Sequence, residues 1–141
     1  MNTDFINDCR ELVMRPSESG LEQDAAQYAK AVMERLGYDE VWIDEVGNVV
    51  GRIRGNGSKT IMLEGHLDTV GIVNRDDWRF DPFSATVADG RIYGRGTSDM
   101  KCALMAMIYG AAALIPRKES LSGDIVVVGV VCEEEFEGVA Q

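Results

Sequence analysis

The amino-acid sequence predicts an α/β fold: a mixed sheet with a parallel βαβ core, flanked by helices. Three features carry that reading. The strand-like run Thr60–Leu63 is followed by the helical stretch "MKCALMAMIYGAAALI" and then by "GDIVVVGVV". Strand, helix, strand in that order is a crossover, whose two strands lie parallel in one sheet. The last run is apolar almost throughout, as in a strand buried inside a sheet. Two amphipathic stretches precede the first of these strands and supply the flanking helices.

Taken in order, Asp4–Val13 sets Phe5, Ile6, Cys9, Leu12 and Val13 at the spacing of one helix face, and Pro16 ends it. The second helix, in "SGLEQDAAQYAKAVMERLG", opens on Ser19 and Glu22 as a capping-box pair and closes before Gly37. "DEVWID" and "NVVGRIRG" read as short strands with turns at Gly47-Asn48 and Gly55-Asn56-Gly57. From Leu67 to Ser98 the chain is loop-like, apart from a hairpin in "FSATVADGRIYGRG" that turns at Asp89-Gly90. The crossover helix follows Asp99 and ends at Pro116. Cys102 reads as a small buried residue on that helix. Alternation along the last strand aims Cys132 away from Glu133, toward the core.

A chain of 141 residues suits one domain, residues 1–141. With 24 acidic and 14 basic side chains the net charge is −10, which argues against nucleic-acid or anionic-membrane partners. The three cysteines lack CxxC spacing and read as reduced thiols. The opening residues lack a signal-peptide pattern, so a cytoplasmic location is expected. "GRIRGNGSKT" has the look of a phosphate loop, but Ser58 separates Gly57 from Lys59 and the stretch lies between strands, which sets a nucleotide-binding reading aside.

The crossover directs attention to one rim, because ligands of open α/β sheets collect beyond the carboxyl ends of the strands. His66 and Asp68 follow the first strand, Asp99 stands where the helix begins, and Glu133, Glu134 and Glu135 follow the second. Each has a plainer explanation alone: a polar strand end, a helix cap, a solvated loop. Together, an imidazole and several carboxylates suit Zn²⁺, Mn²⁺ or Co²⁺. A carboxylate two residues from the histidine can fix its ring while the other ring nitrogen meets a cation.

The stretches "GHLDTV", "DPFSATVADGRIYGRGTSDMK" and "CEEEFEG" resemble those of the zinc-dependent aminoacylase, acetylornithine deacetylase, succinyl-diaminopimelate desuccinylase and glutamate carboxypeptidase family. The resemblance implies an amide hydrolase of small peptides or N-acyl amino acids, with two divalent metal ions, zinc before cobalt or manganese. His66 and Glu134 would each ligate one metal and Asp99 would bridge both, with a cis bond to Met100. Asp68 would orient His66, and Glu133 would be the general base. Cys132 stands where the family usually has aspartate, and a third glutamate follows, so Glu134 and Glu135 are the alternative pair. The resemblance further implies an incomplete zinc-peptidase catalytic domain, without the lid or dimerisation domain and without the remaining ligands. An inactive fragment with an exposed apolar face, associating with its own copies, is expected. The rival is a non-catalytic α/β fragment that binds metal weakly or serves as structure.

Overall fold

A computed structural model describes residues 3–135. In chain order the regular elements are α1 (Thr3–Val13), α2 (Gln23–Leu36), β1 (Glu40–Ile43), β2 (Val49–Ile53), β3 (Lys59–His66), β4 (Thr86–Ala88), β5 (Arg91–Tyr93), α3 (Cys102–Ala112) and β6 (Gly123–Val130). The main sheet has the order β1-β2-β6-β3, and β4 pairs with β5 as a separate hairpin. β3 and β6 run parallel, with Ile61 opposite Ile125 and His66 opposite Val130, whereas β2 joins β6 antiparallel. The mixed sheet with a parallel crossover is therefore the one expected. Among the described residues no helix is long and apolar enough to cross a membrane.

The helices gather on one face of the sheet. Leu12, Ala25, Ala29, Met33, Leu104, Met105 and Ile108 bury against Val49, Ile53, Ile125 and Val127. Alternation along each strand leaves Trp42, Val50, Met62, Val126 and Val128 on the opposite face, half-buried or exposed. With β3 at the sheet edge, Ile61 and Met62 are 63% and 59% exposed. This is the exposed apolar surface that the sequence led one to expect.

Four local expectations need correction. Ser19 and Glu22 do not form a capping box: α2 has no side-chain cap, and both residues bond to distant segments. β3 continues through His66, so the histidine is the strand's last residue. α3 begins at Cys102, because Asp99 (φ −129°, ψ 99°) and Met100 (φ −135°, ψ 28°) are not helical. Cys132 lies beyond β6 at φ +56°, where strand alternation no longer applies; it is half-buried at the core's margin, and Cys102 is likewise half-buried. The Asp89-Gly90 hairpin turn and the Gly37 helix end stand as expected, with φ of 51°, 72° and 90°.

Candidate metal centre

His66 ends the parallel strand beside β6, which sets its ring at the rim where the chain leaves the sheet. Gly65, one residue earlier, lies under Met100: a Cβ there would stand 2.8 Å from Met100 Cε. Gly96 has φ +80°, and a Cβ would meet Thr69 Cγ2 at 2.8 Å, so the turn into Asp99 passes close over the loop after His66. The Asp99–Met100 bond is cis, as the resemblance implied. These contacts bring Asp99 Oδ1 to 2.9 Å from His66 Nε2.

His66, Asp99 and Glu134 each offer a ligand atom, and the three atoms lie within 4.8 Å of one another. His66 is buried, Glu134 half-buried, and the Asp99 side chain 77% exposed. Glu133 Oε2 is 3.8 Å from His66 Nε2, whereas Glu135 is exposed. Among the described residues the structure thus brings His66, Asp99 and Glu134 together with Glu133 beside them, and leaves Glu135 out of the cluster.

Behind the ring sits Asp68, whose side chain is 0% exposed. Its Oδ2 accepts hydrogen bonds from Ser19 Oγ at 2.7 Å and from the Glu134 N–H at 3.0 Å. The ring nitrogen Nδ1 bonds to the Asp68 backbone carbonyl at 3.0 Å; Oδ1, at 3.3 Å, has no hydrogen-bond partner among the described residues. Asp68 therefore holds Glu134 directly, and touches the histidine chiefly through its main chain. Burial pulls the His66 pKa down. The bonds to Asp99 and to the Asp68 carbonyl, with the charges of Asp68 and Glu133, outweigh it and leave the pKa above the ordinary histidine value. Both ring nitrogens face oxygens, Nδ1 the Asp68 carbonyl and Nε2 the Asp99 carboxylate.

Residues whose parts were not legible in the sequence complete the surroundings. Lys101, fully buried, donates from Nζ to Arg15 O at 2.5 Å, and burial lowers its pKa to about 8. Glu22 Oε1 accepts the N–H of Cys132 at 3.0 Å, just before the acidic step. A cavity of about 290 Å³ lies behind that step, between Glu22, Asp44 and Val131, but none of the three metal-ligand candidates lines it.

Residues 62–141 match the description of peptidase family M20/M25/M40. The chain belongs to that family. The Escherichia coli K12 protein YgeY is 37% identical over 96% of this chain and 34% of its own length. A probable succinyl-diaminopimelate desuccinylase of Staphylococcus epidermidis is 32% identical over 98% and 35%. The crystal structure of an M20 metallo-carboxypeptidase from Sulfolobus solfataricus superposes with a TM-score of 0.82 at 26% identity, over 97% of this chain and 34% of that one. A Bacillus subtilis M20 peptidase, described as binding a dinuclear metal, gives 0.73 at 20% identity over 98% and 37%, a likeness of fold. The chain spans about a third of the length of the curated relatives it matches.

Proposed function

We propose that this rim is the core of a two-cation amide hydrolase centre acting on small peptides or N-acyl amino acids. The meeting of His66, Asp99 and Glu134 within 4.8 Å carries the reading. The donor set fits: imidazole nitrogen and carboxylate oxygens suit zinc, with cobalt or manganese compatible. The unpartnered, buried Oδ1 of Asp68 fits as well, since it puts an acceptor behind the ring that a cation would polarise.

Two bound divalent cations would supply Lewis acidity, lowering the pKa of a shared water and polarising the scissile carbonyl. In this reading His66 and Glu134 would each hold one cation and Asp99 would serve both. Glu133, next to Glu134 and 3.8 Å from the His66 ring, accepts the proton of the attacking water and returns it to the leaving amine. Asp68 keeps Glu134 in place through its main-chain N–H. The geometry supports Glu133 and Glu134 over the pair one residue on, because Glu135 is exposed and takes no part in the cluster. Relatives named as a carboxypeptidase and a desuccinylase support the substrate class.

Equilibrium dialysis against Zn²⁺ tests the reading. The parent chain is expected to retain the ion and His66→Ala and Asp99→Ala to lose it; equal retention by all three would refute the centre. One observation favours a non-catalytic, weakly metal-binding chain: among the described residues the cluster has three donors, enough for one coordination sphere, whereas each zinc ion ordinarily takes three or four protein ligands. The 141-residue chain by itself is accordingly expected to show no amidase turnover with added Zn²⁺ or Co²⁺, and robust metal-dependent turnover would overturn that expectation.

A further inference from the structure

Three limbs carry the site: the end of β3 with the loop after it, the turn leading to Lys101, and the turn after β6. One short stretch, the connection between α1 and α2, bonds to all three. Arg15 O accepts from Lys101 Nζ at 2.5 Å. Ser17 Oγ donates to Leu67 O at 2.7 Å, and Ser17 O accepts the Thr69 N–H at 2.9 Å. Ser19 Oγ donates to Asp68 Oδ2 at 2.7 Å, and Glu22 Oε1 accepts the Cys132 N–H at 3.0 Å. Ser17, Glu22, Asp68 and Lys101 are all buried, so these bonds are poorly replaced by water.

The partners are telling. The acidic step is gripped at two points, Cys132 N–H by Glu22 and Glu134 N–H by Asp68, with Glu133 between them. Cys132 has φ +56°, a left-handed conformation that costs a non-glycine residue free energy and persists where its surroundings hold it. Glu22 is one such holder, and it also accepts the Gly20 N–H at 3.0 Å and lies 3.5 Å from Cys132 Sγ. α2 does not use this carboxylate as a cap.

We propose that the Arg15–Glu22 connection is the positioning element of the metal centre. Ser19 and Glu22 are its positioning residues: they set the Glu133–Glu134 step against His66 and Asp99. Glu22 acts through Cys132, and Ser19 through Asp68. The inference rests on the metal-centre reading above.

The test titrates the 141-residue chain with Zn²⁺ against a chromogenic chelator, and follows amide hydrogen exchange in the metal-free protein. Glu22→Ala and Ser19→Ala are each expected to weaken Zn²⁺ binding about 10- to 100-fold. Exchange should quicken at the Cys132 amide in the first variant and at the Glu134 amide in the second. Glu22→Gln and Ser19→Thr keep the bonding oxygen and should stay within a few-fold of the parent. Tyr38→Phe removes a buried bond to Ile108 O, outside the centre; it should lower the melting temperature and leave Zn²⁺ affinity alone. If the parent binds Zn²⁺ and both alanine variants bind as tightly, the positioning role falls and the metal centre stands. A parent that binds no Zn²⁺ removes the centre and the positioning role with it. Unchanged exchange at Cys132 in Glu22→Ala overturns the role of Glu22 without reference to metal.

Discussion

Removing the Asp68 side chain should weaken metal binding more clearly than it weakens the fold. The His66 ring keeps its main partner in Asp68→Ala, because Nδ1 bonds to the backbone carbonyl at 3.0 Å. What disappears is the acceptor of Ser19 Oγ and of the Glu134 N–H. Hydrogen bonds to a carboxylate contribute about 1.5–3 kcal/mol each, so two amount to about 3–6. Against this, the substitution also removes a buried oxygen that has no partner, which relieves about 1–3 kcal/mol. The net loss of folding stability is expected to lie within about 0–5 kcal/mol, centred near about 2.5. Zn²⁺ affinity, which in the proposed centre depends on where Glu134 stands, should fall about 10- to 100-fold. Asp68→Asn retains shape and one acceptor oxygen and should lie between parent and alanine variant. Urea unfolding with chelator present measures the first quantity, and chelator competition on the same preparations the second. If Asp68→Ala loses stability but binds Zn²⁺ as the parent does, Asp68 is only scaffold and the reasoning fails.

Three other outcomes follow from the packing. Burial acts to raise the Asp8 pKa, but hydrogen bonds from Tyr109, Tyr28 and Arg35 outweigh it and hold the pKa below 3.8. A depressed carboxylate gives stability that is complete above that value and is lost as the pH falls through the lower folded pKa. Asp8→Asn should therefore cost about 1.5–3 kcal/mol at pH 7, and its gap from the parent in urea should narrow below about pH 4; a gap constant down to pH 3 would contradict the assignment. At Gly129 a Cβ would stand 2.8 Å from Val49 Cγ1 and 3.1 Å from Leu104 Cδ2, so Gly129→Ala should lose about 1–3 kcal/mol in the same assay, and parent-like stability would show slack packing. With Ile61 and Met62 exposed on the edge strand, the chain should associate at rising concentration and Met62→Lys should reduce this; light scattering showing only monomer throughout would refute it.

The crossover and its rim were legible because their signals are local. A strand-length apolar run, a helical run and a second apolar run each declare themselves within a dozen residues, and handedness and connection rules do the rest. The meeting of the candidate residues was legible for a related reason: His66, Asp99 and Glu134 stand at or next to element ends, and elements that share a sheet bring such ends together. Ser19 and Glu22 show where that legibility stops. Their spacing is that of a capping box, and the residue types are right for one, since a carboxylate or hydroxyl oxygen seeks N–H donors at a helix start. The donors and acceptors they meet are instead 49 and 110 residues away, at Asp68 and Cys132. Lys101 was hidden in the same way, as a lone cation at the head of an apolar helix whose partner, Arg15 O, is 86 residues distant.

This difference has a physical basis that bears on the site itself. A ligand side chain needs only to reach the rim, which the strand or helix that bears it ensures. A supporting side chain needs a particular buried donor or acceptor, and that pairing exists only once the sheet and helices have closed. The Arg15–Glu22 connection collects four such pairings in eight residues and reaches each limb that carries a candidate ligand. An error of about 1 Å in any limb would separate donors that now lie within 4.8 Å. Substitutions in this connection should therefore act on metal affinity through placement. They should do so although no residue in it is among the three ligand candidates.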